Sequence, residues 1–351
     1  MKHIITYCLF ILSLVGYSQS ANRMAEVVNF PSGDIQLEGV LVKPGNEDKY
    51  PVVVFQQGSG PHAFENYDKE AWGPHKFYIE DVLLEQGFAV FYANKRGLGD
   101  SQGHWQDNDF YGRARDAYAA VEYLRTRGDI DTTMIGMSGH SQGGWVSQIV
   151  AAEHDDISFI ISLAGPTVGQ WEQAESLRRY NYKCKGFSGK TLDKKVAREM
   201  KWLKRSANLG GWLTIVPSAK HWNLTHDYEN DEVLKNIKCP TLLLFGEYDV
   251  NVDPTENIAY LNKVFDGNIP DNFTVDVMPQ GHHCFYKIEN RCVPWEEVIK
   301  QPFDSEFQSI ISDWLIKTVK ENRRVPGDAA EKNDFDSNFQ NQIAEWVSEL
   351  N

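Results

Sequence analysis

The sequence predicts an α/β architecture: a mostly parallel central sheet flanked by helices, interrupted by a helical insertion before its last strands. Short β-rich apolar runs such as "YPVVVFQQ", "FAVFYAN", "FIISLAG" and "TLLLFG" recur along the chain. Segments with apolar residues at helical spacing separate them. From Pro166 to about Lys238 aromatic and basic helical pieces follow one another with no clear strand.

In chain order, "MKHIITYCLFILSLVGYSQSAN" has a basic start at Lys2, an apolar run from Ile4 to Val15, and then small or polar residues. That is the layout of a secretory signal peptide. The run falls short of the ~20 apolar residues that span a bilayer. We therefore expect a cleaved leader over residues 1–20, cut after Ser18 or Ser20, a secreted or periplasmic protein, and no membrane span in the mature chain.

"EVVNFPSGDIQLEGVLVKPG" reads as a hairpin around Pro31-Ser32-Gly33-Asp34. "YPVVVFQQGSG" is a buried strand running into a glycine loop, and "HKFYIEDVLLEQG" is a helix closed by Gly87. "FAVFYANKRGLGDSQG" is the next strand and loop, and "DFYGRARDAYAAVEYLRTRG" is an amphipathic helix that Asp109 can cap. Met134 to Met137 form a strand, Ser141 to His154 a helix, and "FIISLAG" another strand. The sheet resumes with "CPTLLLFGEYD", the helix "DPTENIAYLNKVF", the strand "FTVDVMPQGHH" and a closing helix, "DSEFQSIISDWLIKTVK". The organisation is a core over residues 21–165 and 239–322, split by a helical lid over 166–238 and followed by a polar tail over 323–351.

A chain of 351 residues, 42% hydrophobic and 24% charged, is ordinary globular material. Its net charge of -14 is dispersed and no long Lys/Arg run follows a phosphate backbone, which argues against nucleic acid as a partner. After loss of Cys8 four cysteines remain, Cys184, Cys239, Cys284 and Cys292, and they allow three full pairings. Cys284 and Cys292 are the closest pair in sequence and one candidate bridge, while Cys239 reads as a buried free thiol. No C-x-x-C or H-E-x-x-H spacing points to a metal site, and the chemistry below needs no cofactor.

The stretch "MIGMSGHSQGG" contains Gly139-His140-Ser141-Gln142-Gly143, a G-x-S-x-G pattern that arises by chance in about one random chain in ten of this length. Context promotes it. Ser141 sits at a strand-to-helix turn where Gly139 and Gly143 leave room for neighbouring backbone. A serine hydroxyl needs a histidine to take its proton and a carboxylate to orient that histidine. Glu247, Asp249 and Asp253 follow a strand; Asp253 precedes Pro254 and reads as a helix cap, so Asp249 is the favoured acid. His282 and His283 follow the last strand, and an extended backbone there points His282, rather than His283, at the site. For the oxyanion, the backbone N–H groups of Gln142 and Ser59 are the expected donors, with Gly58 turning the loop.

On these residues the chain resembles the α/β-hydrolase superfamily: "VVVFQQGSGP" as oxyanion loop, "NKRGLGDSQG" as the loop after the next strand, "GHSQGG" as nucleophile elbow, "CPTLLLFGEYD" as acid strand and "QGHH" as histidine loop. More narrowly, it is similar to secreted bacterial esterases of the serine aminopeptidase (S33-like) branch. Asn94 departs from the Asp that many relatives carry before the Lys-Arg pair, a structural position. Arg96 reads as an anchor of the strand end. The resemblance implies a serine carboxylesterase acting on a small acyl ester through an acyl-enzyme, with Ser141 as nucleophile, His282 as base and Asp249 as orienting acid. The alternative is an aminopeptidase-type serine peptidase in which Glu172 and Glu175 hold a substrate ammonium. A third reading is a non-catalytic binding protein of the same fold. Trp171, Tyr180, Tyr182, Trp202, Trp212 and Trp222 in the lid suggest an aromatic-walled pocket or a lid core.

Overall fold

Alternation along the strands builds the sheet. In β3 (Tyr50–Gln56), Val52 and Val54 join one apolar cluster while Val53 and Phe55 join another, and all four are fully buried. β7 (Thr241–Gly246) repeats the division, with Leu243 and Phe245 on one face and Leu242 and Leu244 on the other. A strand buried on both faces reads as a continuous apolar run, as the sequence does here. The computed structural model describes residues 23–45, 47–61, 79–207, 217–301 and 305–321; the expected leader and C-terminal tail lie outside them.

The sheet has eight strands in the order β1-β2-β4-β3-β5-β6-β7-β8. β1 (Met24–Ser32) and β2 (Ile35–Lys43) form the expected hairpin, closed by Gly33 at φ 58° and Asp34. β2 runs antiparallel to β4 (Ala89–Ala93), and all later pairings, through β5 (Ile130–His140), β6 (Ile160–Leu163) and β8 (Phe273–Met278), are parallel. Helix α1 (Asp81–Glu85) lies on one face, where Val82 and Leu83 join the cluster of Val53 and Phe55. α2 (Phe110–Arg125) and α3 (Gln142–Glu153) cover the other face with Ala117, Val121, Trp145 and Ile149. As read from the sequence, Asp109 caps α2, accepting the Gly112 N–H at 2.6 Å.

Between β6 and β7 the described residues form helices only: α4 (Gln170–Cys184), α5 (Gly189–Ala207), α6 (Pro217–Thr225) and α7 (Asp231–Asn236). α4 and α5 close a small core of Ala174, Leu192, Val196, Met200 and Leu203, against which Trp171, Tyr182 and Trp222 pack. Those aromatic side chains therefore serve the insertion's own core. Trp202 is 69% exposed, and Trp212 lies outside the described residues. After β7, α8 (Pro254–Val264) packs beside α7's Val233 and Leu234; α9 (Trp295–Val298) and α10 (Ser305–Trp314) complete the described chain before a final wide turn over Leu315–Lys320.

The disulfide joins Cys184, at the end of α4, to Cys292. This replaces the sequence candidate Cys284–Cys292. Cys284 sits in a tight turn after β8 and packs against the core cluster on the α1 and α10 face, whereas Cys292 runs out toward α4. Cys284 and Cys239 are free, the latter packed on the opposite core. Among the described residues no helix is long and apolar enough to cross a membrane.

Candidate active site

Ser141 lies between β5 and α3 with φ 56° and ψ -125°, a region that non-glycine residues seldom occupy. Such strain persists only where the surroundings enforce it. They do so through close backbone approach. A Cβ on Gly139 would lie 2.0 Å from the Gly143 carbonyl oxygen, and one on Gly143 would lie 2.1 Å from that of Gln56. Both glycines are thus required by space, and the elbow is the strand–turn–helix that the motif needs. The Ser141 N–H donates to Leu163 O at 2.9 Å, tying the elbow to β6.

Asp249 follows β7 and is fully buried. Its Oδ1 accepts the N–H groups of Asn251 (2.7 Å) and Val252 (3.0 Å), which leaves Oδ2 aimed at the histidine loop. The imidazole it meets belongs to His283, with Nδ1 2.7 Å from Oδ2. A carboxylate only accepts, so His283 Nδ1 carries the proton and Nε2 is left as the basic nitrogen. Asp253, as expected, is occupied elsewhere: it caps α8 through the Glu256 N–H at 3.0 Å and pairs with Arg291 at 2.8 Å.

The structure corrects the sequence expectation for the histidine. His282 does not reach Asp249. The chain turns sharply after Gly281, with Phe285 N–H donating to His282 O at 2.7 Å and His282 N–H to Tyr286 O at 2.8 Å. Gln280 and Phe285 both take positive φ, 57° and 58°. An extended backbone would have directed His282 inward; the turn instead presents His283. The His282 ring lies 5.8 Å from that of Trp295, and its Nδ1 accepts the Cys284 N–H at 3.3 Å. No glycine or proline marks the turn after position 281, so the sequence carries no conventional signal of it.

His140, inside the motif, has a place the sequence did not reveal. Its Nε2 lies 2.9 Å from the His283 carbonyl and its ring is 4.7 Å from the His283 ring. The residue before the nucleophile thus holds the backbone of His283. Gly58 lies against Ser141: a Cβ there would be 3.1 Å from the Ser141 Cβ. That brings the loop carrying Ser59 beside the elbow, where Gln142 begins α3. Arg96 is the anchor expected of it, gripping Asp116 through Nε (2.7 Å) and Nη2 (2.8 Å). Asn94 donates to Glu38 Oε1 at 2.6 Å, a structural contact. Among the described residues no group of three or more His, Cys, Asp or Glu side chains could hold a metal ion.

Burial lowers the His282 pKa to about 4; the nearby His283 adds to this and Asp249 opposes it. His221 on α6 is also lowered to about 4, first by burial and then by Arg113 and Lys95. A histidine with a depressed folded pKa binds more protons when unfolded, so stability is full above pH 6.5 and is lost as pH falls toward 4. For His282 alone the expected loss by pH 4 is about 3 kcal/mol. Chemical denaturation at pH 7 and pH 4.5 checks this. His282→Gln, which keeps an acceptor for the Cys284 N–H, should lose distinctly less stability across the interval than the wild type; an equal loss overturns the assignment.

Residues 32–284 match the family described as X-Pro dipeptidyl-peptidase (S15 family). The chain belongs to this family. It is accordingly an α/β-hydrolase, and a hydrolase of the serine type, esterase or peptidase. Esterase EstD of Thermotoga maritima is 24% identical over 82% of this chain and 68% of its own length. The acylamino-acid-releasing enzyme of Rattus norvegicus is 22% identical over 74% of this chain, which spans only 32% of that enzyme. Among solved folds, ferulic acid-bound Est1E from Butyrivibrio proteoclasticus superposes with a TM-score of 0.55 at 17% identity, over 84% of this chain and 99% of its own. The Pyrococcus furiosus esterase Pf2001 superposes with a TM-score of 0.52 at 17% identity, over 84% and 93%.

Proposed function

We propose that the protein is a carboxylesterase using Ser141, His283 and Asp249. The observation that carries the reading is the Asp249–His283 hydrogen bond of 2.7 Å beside the strained Ser141 elbow. In the proposed cycle Ser141 Oγ attacks the ester carbonyl while His283 Nε2 takes its proton. Asp249 keeps the imidazole in the tautomer this requires and stabilises the imidazolium. The Gln142 and Ser59 N–H groups receive the oxyanion. His283 then protonates the departing alkoxide, and water activated by the same nitrogen releases the acyl group.

Two observations favour an ester over a peptide. EstD is matched over most of both chains, whereas the acylamino-acid-releasing enzyme is matched over a minor part of its length. Of the carboxylates considered for a substrate ammonium, Glu175 is already held by Arg179 at 3.2 Å. The family match keeps a peptidase as the second reading. Export of the protein is part of the proposal and the Cys184–Cys292 bridge supports it, because disulfides persist in oxidising compartments.

The test sets p-nitrophenyl acetate to decanoate beside amino-acyl and X-Pro p-nitroanilides. Ester turnover is expected, with anilides slower by orders of magnitude, and Ser141→Ala is expected to remove about 10⁶-fold in kcat. Faster anilide turnover moves the assignment to a peptidase; no turnover of either, with Ser141 inert to a fluorophosphonate, overturns it.

A further inference from the structure

The loop after β3 is gripped by two cations. Lys95, in the loop after β4, donates from Nζ to the carbonyl oxygens of Gly58 (2.5 Å) and Gly60 (2.7 Å). Arg113, a buried residue of α2, donates from Nη2 to the carbonyl of Gln57 at 2.6 Å. Three carbonyls within four residues are thereby held by cationic side chains. No peptide bond among the described residues is cis, and in a trans peptide the C=O and the following N–H point in opposite directions. The N–H of Gly58 therefore faces away from Arg113, and the N–H of Ser59 faces away from Lys95. Gly58 meanwhile abuts the nucleophile: a Cβ at this position would lie 3.1 Å from the Ser141 Cβ and 3.3 Å from the His140 carbonyl oxygen.

We propose that Lys95, backed by Arg113, is a positioning residue that holds the oxyanion amides of the 57–60 loop in place by fixing the carbonyls behind them. The proposal rests on the serine-esterase reading above and extends it to a residue that does not touch substrate.

The chemistry of Lys95 fits this role better than a purely structural one. Its hydrogen bonds among the described residues go to carbonyl oxygens and to no carboxylate. Enclosing an ammonium without an opposite charge is costly. Desolvation, and secondarily the charge of Arg113, accordingly hold its pKa well below the usual lysine value. A neutral amide side chain would close the loop at less expense. What Lys95 adds is two hydrogen bonds from one nitrogen, at the end of a long stem, to two carbonyls at once, and so a stiffer loop. Stiffness is what an oxyanion site needs, because donors that must reorganise as charge develops lose most of their benefit.

The experiment compares Lys95→Met and Lys95→Arg with the wild type on p-nitrophenyl butyrate, together with inhibition by a trifluoromethyl ketone, whose serine adduct carries an oxyanion. Lys95→Met should lower kcat by about 10- to 100-fold with KM nearly unchanged, and weaken the ketone in parallel with kcat. Lys95→Arg should restore most of both, since a charged donor again reaches the carbonyls. Should Lys95→Met fail to fold, Lys95→Leu, which likewise donates nothing to the two carbonyls, is read the same way, and Lys95→Gln, which keeps a donor, should fall between it and the wild type. Folded variants that keep kcat within about twofold, or that lose KM and ketone affinity alike, overturn the proposal. Normal wild-type turnover accompanies that result. A wild type without esterase activity and with Ser141 unreactive to fluorophosphonate instead defeats the serine-esterase reading, and this proposal falls with it.

Discussion

His283→Ala is expected to lower kcat for a p-nitrophenyl ester by about 10⁴-fold or more, with little change in KM, whereas His282→Ala stays within about tenfold of wild type. The contrast is sharp because the two side chains are adjacent in sequence and both buried. Only one of them meets Asp249, at 2.7 Å. Asp249→Asn is the companion variant. An asparagine can keep an oxygen toward the Asn251 and Val252 N–H groups, but its NH₂ then faces His283 Nδ1 and drives the proton to Nε2. The base nitrogen is thereby blocked with the geometry intact, and a loss of about 10⁴-fold is expected. Steady-state kinetics on the three variants, with circular dichroism to confirm folding, decides the matter. Loss of activity in His282→Ala with retention in His283→Ala would reverse the assignment.

The difference between these neighbours marks where the sequence stops being legible. The elbow could be read because its requirements are steric and local: Gly139 and Gly143 leave space that a Cβ would fill, and both flank the serine in the motif. Asp253 could be set aside because Pro254 and Glu256 announce a helix start, and its side chain does cap α8. The strands were legible from alternating or continuous burial, as in Val52 to Phe55. The choice between His282 and His283 rests on a single turn stabilised by nonlocal contacts. His140 holds the His283 carbonyl from the elbow, and Gly281 bridges to Lys287. Phe285 takes a positive φ that its residue type disfavours, and its ring is fully buried against Phe307. Tertiary packing overrides the local preference there, so no pattern within "QGHHCFY" reveals it. The disulfide was hidden for a similar reason, since Cys184 and Cys292 are 108 residues apart and meet only through the packing of α4.

Removing that bridge with Cys184→Ser and Cys292→Ser is expected to destabilise the fold by about 2–4 kcal/mol. A closed loop of roughly 100 residues gives about 4.7 kcal/mol in the chain-entropy account, and native contacts that survive in the reduced protein bring the figure down. The fall in Tm should be about 5 °C or more by scanning calorimetry. New pairing of the remaining thiols will not obscure the result. The free Cys284 thiol is pushed up to about 12 by burial, with Asp249 adding to the rise, so its thiolate is scarce at neutral pH. The expected effect on catalysis is smaller, within about tenfold in kcat at 25 °C, because a neighbouring clamp remains. Arg291 reaches Asp253 at 2.8 Å, the Glu247 carbonyl at 2.7 Å and the Tyr180 hydroxyl at 3.3 Å. It therefore ties the segment after the histidine turn both to the loop that carries Asp249 and to α4. The disulfide restricts the unfolded chain while Arg291 aligns the folded one, so a double variant that lost kcat without losing Tm would show these roles to be exchanged.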